Sequence, residues 1–127
     1  MTQHRDETSY FTPPILKLGS YDELYIIDLN KVIFMQADDH YTHIHYSANS
    51  HFMISYGLGE VEERIKAFPK AKTFLIRLGR KYIINTRQIF RISTMKGLVY
   101  LLDTEGNTIS LQVSKPVLRS LMELMQA

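Results

Sequence analysis

Short apolar segments bounded by polar turn residues recur along the whole chain, and this pattern predicts β-strands. The alternation is clearest over residues 41–46, where His43 and His45 fall on the same side of the chain. Such segments cover residues 15–18, 24–29, 32–37, 41–46, 52–56, 74–78, 82–85, 89–93, 98–102 and 108–111. Because only short turns separate most consecutive segments, we expect a mainly β fold with about nine to ten strands in antiparallel sheets.

A helical period replaces the strand pattern in two places. One predicted helix lies in the middle of the chain and ends at Pro69, since proline cannot continue a helix. Its apolar face consists of Leu58, Val61, Ile65 and Phe68. A short C-terminal helix is predicted to begin after Ser114, which fits the N-cap position, with Pro116 two residues later. Its apolar positions are Val117, Leu118, Leu121 and Leu124.

The length of 127 residues suits one domain of ordinary size. We expect residues 1–14 to be a flexible lead-in and residues 15–127 to form the domain. The first residues are polar with charges of both signs, unlike a secretory signal, and no apolar run reaches the roughly 18–20 residues of a membrane span. The chain has no cysteine, which excludes disulfide scaffolds and cysteine-based metal sites. A soluble cytoplasmic protein without a membrane partner is therefore expected.

The net charge of +2 conceals an uneven distribution of charge. Residues 1–30 carry 2 basic and 5 acidic groups, whereas residues 31–127 carry 13 basic and 8 acidic groups. The 39 residues from Arg64 to Leu102 contain ten cations and no acid. These cations are Arg64, Lys66, Lys70, Lys72, Arg77, Arg80, Lys81, Arg87, Arg91 and Lys96. An uncompensated basic stretch favours a polyanion such as nucleic acid, although a solvated basic face without any ligand has the same composition.

Few residues suggest catalysis or metal binding. His40, His43 and His45 cluster near one predicted strand, where a metal site and a sheet surface of polar aromatic side chains are both conceivable. Asp38 and Asp39 are adjacent, and a turn role explains them better than acid–base catalysis. The chain contains no nucleotide-binding, serine-hydrolase or zinc-protease motif. We therefore expect neither an enzyme nor a bound cofactor or metal.

Three segments resemble the LytTR DNA-binding domain of bacterial response regulators. The first, VIFMQADDHYTHIHY at 32–46, resembles the family's apolar strand followed by a phrase such as Ile-Glu-Ala-Asp-Gly-Asn-Tyr. The second, FLIRLGRKYIINTRQI at 74–89, resembles the family's block Phe-x-Arg-x-His-Arg-Ser-Tyr-x-Val-Asn. The third, ISLQVSKPVL at 109–118, resembles the family's Val-Ser-Arg phrase before the last helix. Together they place the resemblance over roughly residues 15–125.

Three positions depart from the family pattern. Gly79 stands where histidine is usual, Lys81 where serine is usual, and Lys115 where arginine is usual. The resemblance implies an elongated assembly of short antiparallel sheets with one central helix and a short C-terminal helix. It also implies that loops between strands, rather than a recognition helix, contact the DNA by entering successive major grooves on one face of the duplex.

Carried over by position, the resemblance assigns DNA contacts to His40, Tyr41, Thr42, Arg77, Gly79, Arg80, Lys81, Ser114 and Lys115. The planar fork of Arg80 could pair with O6 and N7 of a guanine, with a phosphate contact as the alternative. Arg77, Lys81 and the Ser114 hydroxyl fit phosphates, and Ser114 also fits a helix N-cap. For the 40–42 loop, a turn role is the alternative to a contact with base edges. Tyr82 and Ile84 are expected in the core, and Asn85 is expected to cap a turn.

The resemblance implies sequence-specific binding of double-stranded DNA by a bacterial transcriptional regulator. Direct repeats in promoters and a homodimer on DNA are further expectations from the family. The alternative is a protein-interaction or ligand-sensing module that keeps the fold and has weakened DNA readout, and Gly79 and Lys115 motivate it. A phosphoacceptor receiver usually precedes this domain, but too few residues precede Ile15 to hold one. We expect a complete, stand-alone regulator, with an excised domain as the alternative.

Overall fold

The structure, a computed structural model, describes residues 13–126 and has ten strands in three antiparallel sheets within that range. Most of the predicted flexible lead-in, residues 1–12, lies outside the described residues, as does residue 127. The elements in chain order are β1 (Ile15–Gly19), β2 (Leu24–Asp28), β3 (Phe34–Asp38), β4 (Tyr41–His45), β5 (His51–Ile54), α1 (Leu58–Ile65), α2 (Ala71–Phe74), β6 (Leu75–Leu78), β7 (Tyr82–Asn85), a 3-10 turn (Thr86–Gln88), β8 (Ile89–Ser93), β9 (Leu98–Leu102), β10 (Thr108–Gln112) and α3 (Lys115–Gln126). The predicted mainly β fold is confirmed.

The largest sheet, here the central sheet, has five strands in the order β5-β4-β3-β7-β6. Strands β1 and β2 form a separate hairpin, and β8, β9 and β10 form a three-stranded sheet. Because side chains alternate along a strand, neighbouring residues of β3 enter different cores. Met35 packs with residues of β1, β2 and α1, whereas Phe34 packs with the three-stranded sheet and α3. The central sheet therefore lies between two separately packed layers.

The central helix is shorter than the sequence pattern predicts, because α1 ends at Ile65. Its predicted apolar face is confirmed over Leu58, Val61 and Ile65, which are buried. After Ile65 the chain tightens, and the N–H of Phe68 donates to the carbonyl of Ile65 at 2.9 Å. A second, unpredicted helix, α2, then includes Phe74, which the sequence pattern assigned to a strand. The C-terminal helix α3 has 12 residues and is the longest described helix rather than a short one.

The third strand begins later than predicted, at Phe34 rather than Val32. At Val32, a side chain replaces a strand partner. The side-chain Nδ2 of Asn85 donates to the carbonyl of Val32 at 2.9 Å, and the N–H of Asn85 donates to the carbonyl of Ile33 at 2.9 Å. The N–H of Ile33 donates to the carbonyl of His45 on β4 at 2.8 Å, so Ile33 still bonds both neighbouring strands, and the carbonyl of Val32 takes a side-chain partner in place of a ladder bond.

A buried carboxylate ties the three-stranded sheet to the central sheet. Asp103, which follows β9, accepts hydrogen bonds from the N–H of Ala48 at 2.8 Å and from the N–H of Asn107 at 2.7 Å. These donors favour the charged form and hold the pKa of Asp103 below its usual value, with Ala48 contributing most. Because Ala48 lies between β4 and β5, this contact joins the two sheets directly. No helix within residues 13–126 is long and apolar enough to cross a membrane.

Candidate nucleic-acid interface

Two of the predicted DNA-contacting turns lie side by side at one end of the central sheet. Strands β3 and β7 are antiparallel neighbours, so the end of β3 meets the start of β7. The N–H of Ala37 donates to the carbonyl of Lys81 at 2.8 Å and joins the β3–β4 turn to the β6–β7 turn. The third predicted segment, at the start of α3, reaches the same end: a Cβ built on Gly79 would lie 3.9 Å from Cγ2 of Val117. We call this end of the sheet the contact edge.

The β3–β4 turn presents one histidine to solvent. Asp38 pairs with Tyr41 across the hairpin, so Asp39 and His40 form the turn. Asp39 adopts a positive φ of 57°, which aspartate tolerates better than most residues, and the side chain of His40 is 90% exposed. Tyr41 is exposed as well. The carboxylate of Asp38 lies 2.8 Å from Nε2 of His43, and this contact fixes the base of the turn.

Thr42 differs from its neighbours in this turn because its side chain lies in the core, with 0% exposed. Its hydroxyl donates to the carbonyl of Tyr56 at 2.7 Å. Tyr56 lies two residues before the start of α1, so this bond connects β4 to the segment that leads into α1. The buried side chain of Thr42 therefore anchors the strand that follows the β3–β4 turn.

The β6–β7 turn is held from within by Arg77. Nε of Arg77 donates to the carbonyl of Gly79 at 2.9 Å, and Nη2 donates to the carbonyl of Arg80 at 3.2 Å. Nη1 donates to Oε1 of Glu62 at 2.9 Å, so the charge of Arg77 is paired with α1. Gly79 has φ 64°, a conformation that glycine adopts without strain. The guanidinium of Arg77 is thus turned toward the protein.

Exposed cations and polar groups occupy the surface of the contact edge. Arg80 and Lys81 are exposed in the β6–β7 turn, and Ser114 and Lys115 are exposed where α3 begins. The carbonyl of Ser114 accepts the first helical hydrogen bond, from the N–H of Leu118 at 3.0 Å. The position of Ser114 immediately before α3 agrees with the predicted N-cap position. The contact edge therefore brings together three separate chain segments, each of which has exposed polar or basic side chains.

The family model of the LytTr DNA-binding domain matches residues 22–126. The chain belongs to the LytTR family. Among solved structures, it is similar to the LytTr DNA-binding domain of a Bacillus cereus protein described as a methyl-accepting/DNA response regulator. That match has a TM-score of 0.60 and 22% sequence identity, and it covers 89% of this chain and 97% of the other. At 22% identity this similarity establishes the fold alone. The comparison with curated proteins found no match.

Membership of the LytTR family makes this a DNA-binding fold connected with regulation, and the family is not one of enzymes. The LytTR signature residues expected to be structural have that role. Tyr82 and Ile84 are buried in the second core. Asn85 caps the 3-10 turn, because its Oδ1 accepts the N–H of Arg87 at 3.0 Å. Both predictions, core packing and a turn cap, are confirmed.

One residue that supports the LytTR contact edge is not visible in the sequence pattern. Glu62 lies on α1, 15 positions before Arg77, and its carboxylate fixes the arginine that shapes the β6–β7 turn. A local motif cannot reveal such a pair, because helix and strand are brought together only by the packing of α1 against the sheet. The charge pattern alone gives a weak signal, since Glu62 is one of several acids in α1.

The histidine cluster of this LytTR domain is an aromatic sheet surface. His43 and His45 share a face, as predicted, and His45 stacks between Phe34 at 4.1 Å and His51 at 4.6 Å between ring centroids. Burial lowers the pKa of His45 to about 4, with further lowering from His51 and His43. His45 is therefore neutral near pH 7. Within residues 13–126 no group of three or more histidine, aspartate or glutamate residues is placed to hold a metal ion.

Proposed function

We propose that this LytTR domain binds double-stranded DNA sequence-specifically, through turns of the contact edge that enter the major groove, and that it acts in bacterial transcription regulation. The observation that carries the proposal is the meeting of three separate segments, each with exposed polar or basic side chains, at one end of the sheet. Membership of the LytTR family supports DNA binding in general. The contact edge supplies the surface on which this chain would perform it.

The exposed side chains take different roles in this proposal. Arg80 reads a base, because its planar fork matches the O6 and N7 acceptors of guanine in the major groove. Lys81, Lys115 and the Ser114 hydroxyl hold phosphates, which fix register without reading sequence. His40 and Tyr41 are placed to meet base edges or sugar from the β3–β4 turn.

Three further predicted contact residues take supporting roles. Arg77 orders the β6–β7 turn through its bonds to the carbonyls of that turn. Gly79 allows the turn conformation with its positive φ. Thr42 anchors the neighbouring strand through its bond to Tyr56. These residues then affect DNA binding through the shape of the contact edge.

The acidic residues of the first turn favour a groove position over a backbone position. Asp38 and Asp39 stand at the contact edge, and two carboxylates laid along a phosphate backbone would be repelled. Inside the major groove, a carboxylate can accept a hydrogen bond from the amino group of cytosine. The flanking cations then meet the phosphates on either side of the groove.

The target and assembly follow the family resemblance. Direct repeats in promoter DNA, with one copy of the chain on each repeat as a homodimer, extend the proposal. Selection of bound sequences from a random duplex pool tests this directly, because a repeated motif would be recovered if two copies bind together. Recovery of a single unrepeated motif would support sequence-specific binding and contradict binding as a homodimer on direct repeats.

A binding comparison tests the contact edge itself. Arg80→Ala is expected to weaken binding to the selected site by about 1–3 kcal/mol and to relax the preference at one base pair. Lys72→Ala is the matched control, because Lys72 is an exposed cation in the same acid-free stretch and lies beyond the opposite end of β6. Equal binding by Arg80→Ala and the unmodified chain would remove Arg80 from the readout.

A second candidate function is a protein-interaction or ligand-sensing module on the same fold. Two substitutions in the signature favour it, since Gly79 lacks the usual side chain and Lys115 lacks the planar fork of arginine. A mobility-shift assay on the upstream region of the encoding gene, at low and moderate salt, separates the two functions. A shift that survives moderate salt supports sequence-specific binding, and none above the nonspecific level supports the interaction module.

A further inference from the structure

A further turn adjoins the contact edge and lies outside the three segments that resemble the family pattern. Strands β8 and β9 are joined by the turn Thr94–Gly97. The N–H of Val113 donates to the carbonyl of Gly97 at 2.9 Å. Val113 directly precedes Ser114, so this bond places the β8–β9 turn beside the start of α3. The β8–β9 turn is therefore a fourth chain segment next to the three that form the contact edge.

The β8–β9 turn is held in one conformation by its own contacts. The N–H of Gly97 donates to the carbonyl of Thr94 at 3.3 Å, and the N–H of Lys96 donates to the hydroxyl of Ser93 at 3.2 Å. Gly97 has φ 70°, and a Cβ built there would lie 3.5 Å from the carbonyl oxygen of Val113. Glycine thus permits the turn conformation, and the 3.5 Å distance places the turn in ordinary contact with the segment before α3.

The tip of this turn carries a cation and an apolar side chain into solvent. Met95 is 89% exposed and Lys96 is exposed. Lys96 is the last of the ten cations in the acid-free stretch, and its turn adjoins the residue that precedes Ser114. The structure thereby brings a turn with an exposed lysine, from outside the signature segments, next to the segment that contains Ser114 and Lys115.

We propose that the β8–β9 turn is a fourth DNA-contacting element of this chain, in which Lys96 holds a phosphate next to the one held at the start of α3. The inference rests on the proposed function, because it extends the same contact edge. A lysine is suited to this role, since its compact charge meets a phosphate from many directions without a fixed fork. Met95 at the tip then lies against the sugar edge of the same strand.

Salt dependence tests this assignment quantitatively. The logarithm of the affinity falls with the logarithm of salt concentration by about 0.9 for each phosphate that the protein neutralises. Lys96→Ala is therefore expected to reduce the slope by about 0.9, whereas Lys72→Ala leaves the slope unchanged. An equal slope for these two variants, with both folded by circular dichroism, would overturn the proposal.

A chemical probe tests the position of the turn on the duplex. The chain has no cysteine, so Lys96→Cys, Lys115→Cys and Lys72→Cys each give a single attachment point for a DNA-cleaving reagent. Cleavage from position 96 is expected within a few nucleotides of cleavage from position 115, and position 72 is expected to give none. Cleavage from position 115 without any from position 96 would show that the fourth turn stays off the DNA.

The same set of proteins separates failure of this inference from failure of the proposed function. If Arg80→Ala lowers specific binding and position 115 cleaves DNA while Lys96→Ala behaves like Lys72→Ala, only the fourth turn is wrong. If Arg80→Ala and Lys96→Ala both bind like the unmodified chain and no probe cleaves, the contact edge itself is wrong. In both cases the inference about Lys96 is rejected.

Discussion

Arg77 and Glu62 form an ion pair across 15 positions of the chain, with Nη1 of the arginine 2.9 Å from Oε1 of the glutamate. This pair leaves the other two nitrogens of the Arg77 guanidinium, Nε and Nη2, to hold the carbonyls of the β6–β7 turn. The arginine of the family signature therefore shapes the turn from inside, and its effect on DNA binding can be separated from that of an exposed cation.

Replacing Arg77 with lysine keeps the charge and removes the planar fork. Arg77→Lys is expected to weaken specific DNA binding by about fivefold, the equivalent of one lost hydrogen bond, and to leave the salt slope unchanged. Affinity measured over a range of salt concentrations checks both statements. Glu62→Gln is the control with a smaller expected effect, because glutamine can still accept a hydrogen bond. A slope reduced by about 0.9 in Arg77→Ala would instead make Arg77 a phosphate contact.

Gly79→Ala tests the conformation of the β6–β7 turn. A left-handed conformation costs a residue with a Cβ about 1–2 kcal/mol, and the added Cβ would make only an ordinary contact, 3.9 Å from Cγ2 of Val117. The free energy of unfolding, measured in urea, is expected to fall by about that amount. Gly79→Asn should lose less, because asparagine tolerates this conformation better. An unchanged free energy in Gly79→Ala would mean that the turn adopts a different conformation in solution.

Asn85→Ala removes a buried amide that bonds two separate backbone groups. One bond reaches the carbonyl of Val32 and the other the N–H of Arg87, and both groups would lose their partner. The free energy of unfolding is expected to fall by about 1–3 kcal/mol. Asn49→Ala, at an exposed position, is expected to change it by less than about 0.5 kcal/mol. Similar values for the two variants would contradict the structural role of Asn85.

His45 makes stability depend on pH. Its pKa is lowered from 6.5 to about 4 in the folded chain, so protonation favours the unfolded state. The contribution of neutral His45 is complete above pH 6.5 and is lost as the pH falls toward 4. His43, His51 and Asp38 face the same surface. His45→Phe keeps an aromatic ring against Phe34 and is expected to flatten the decline in unfolding free energy between pH 6.5 and 4. If the unfolding free energy of His45→Phe declined as steeply as that of the unmodified chain, other groups would cause the pH dependence.

Strand existence and core positions were predictable because they depend on local alternation. Met35 and Phe34 enter opposite cores, and a period of two residues indicates this directly. Strand ends were less predictable. Val32 reads as strand in the sequence, but its carbonyl is taken by the Asn85 side chain, 53 positions away. The sequence pattern does not predict α2, because its four residues, beginning at Ala71, are too few to show a helical period.

The candidate site was predicted only as a set of separate loops. Family resemblance identified the segments around His40, Arg80 and Ser114, but spacing along the chain contains no information about their distance in space. Sheet pairing brings the first two together, and the packing of Val117 near Gly79 adds the third. In the sequence Lys96 is one of ten cations in an acid-free stretch, and the bond between Gly97 and Val113 places its turn beside the start of α3.

The bond between Ala37 and Lys81 has a thermodynamic consequence for any complex that forms at the contact edge. Together with the bonds of Arg77, it orders both turns in the free chain. The conformational entropy of these turns is therefore lost during folding and not during association. Binding then resembles the docking of two preformed surfaces. A substitution that makes either turn flexible moves that entropy loss into the binding step, where it lowers the affinity for every target sequence equally.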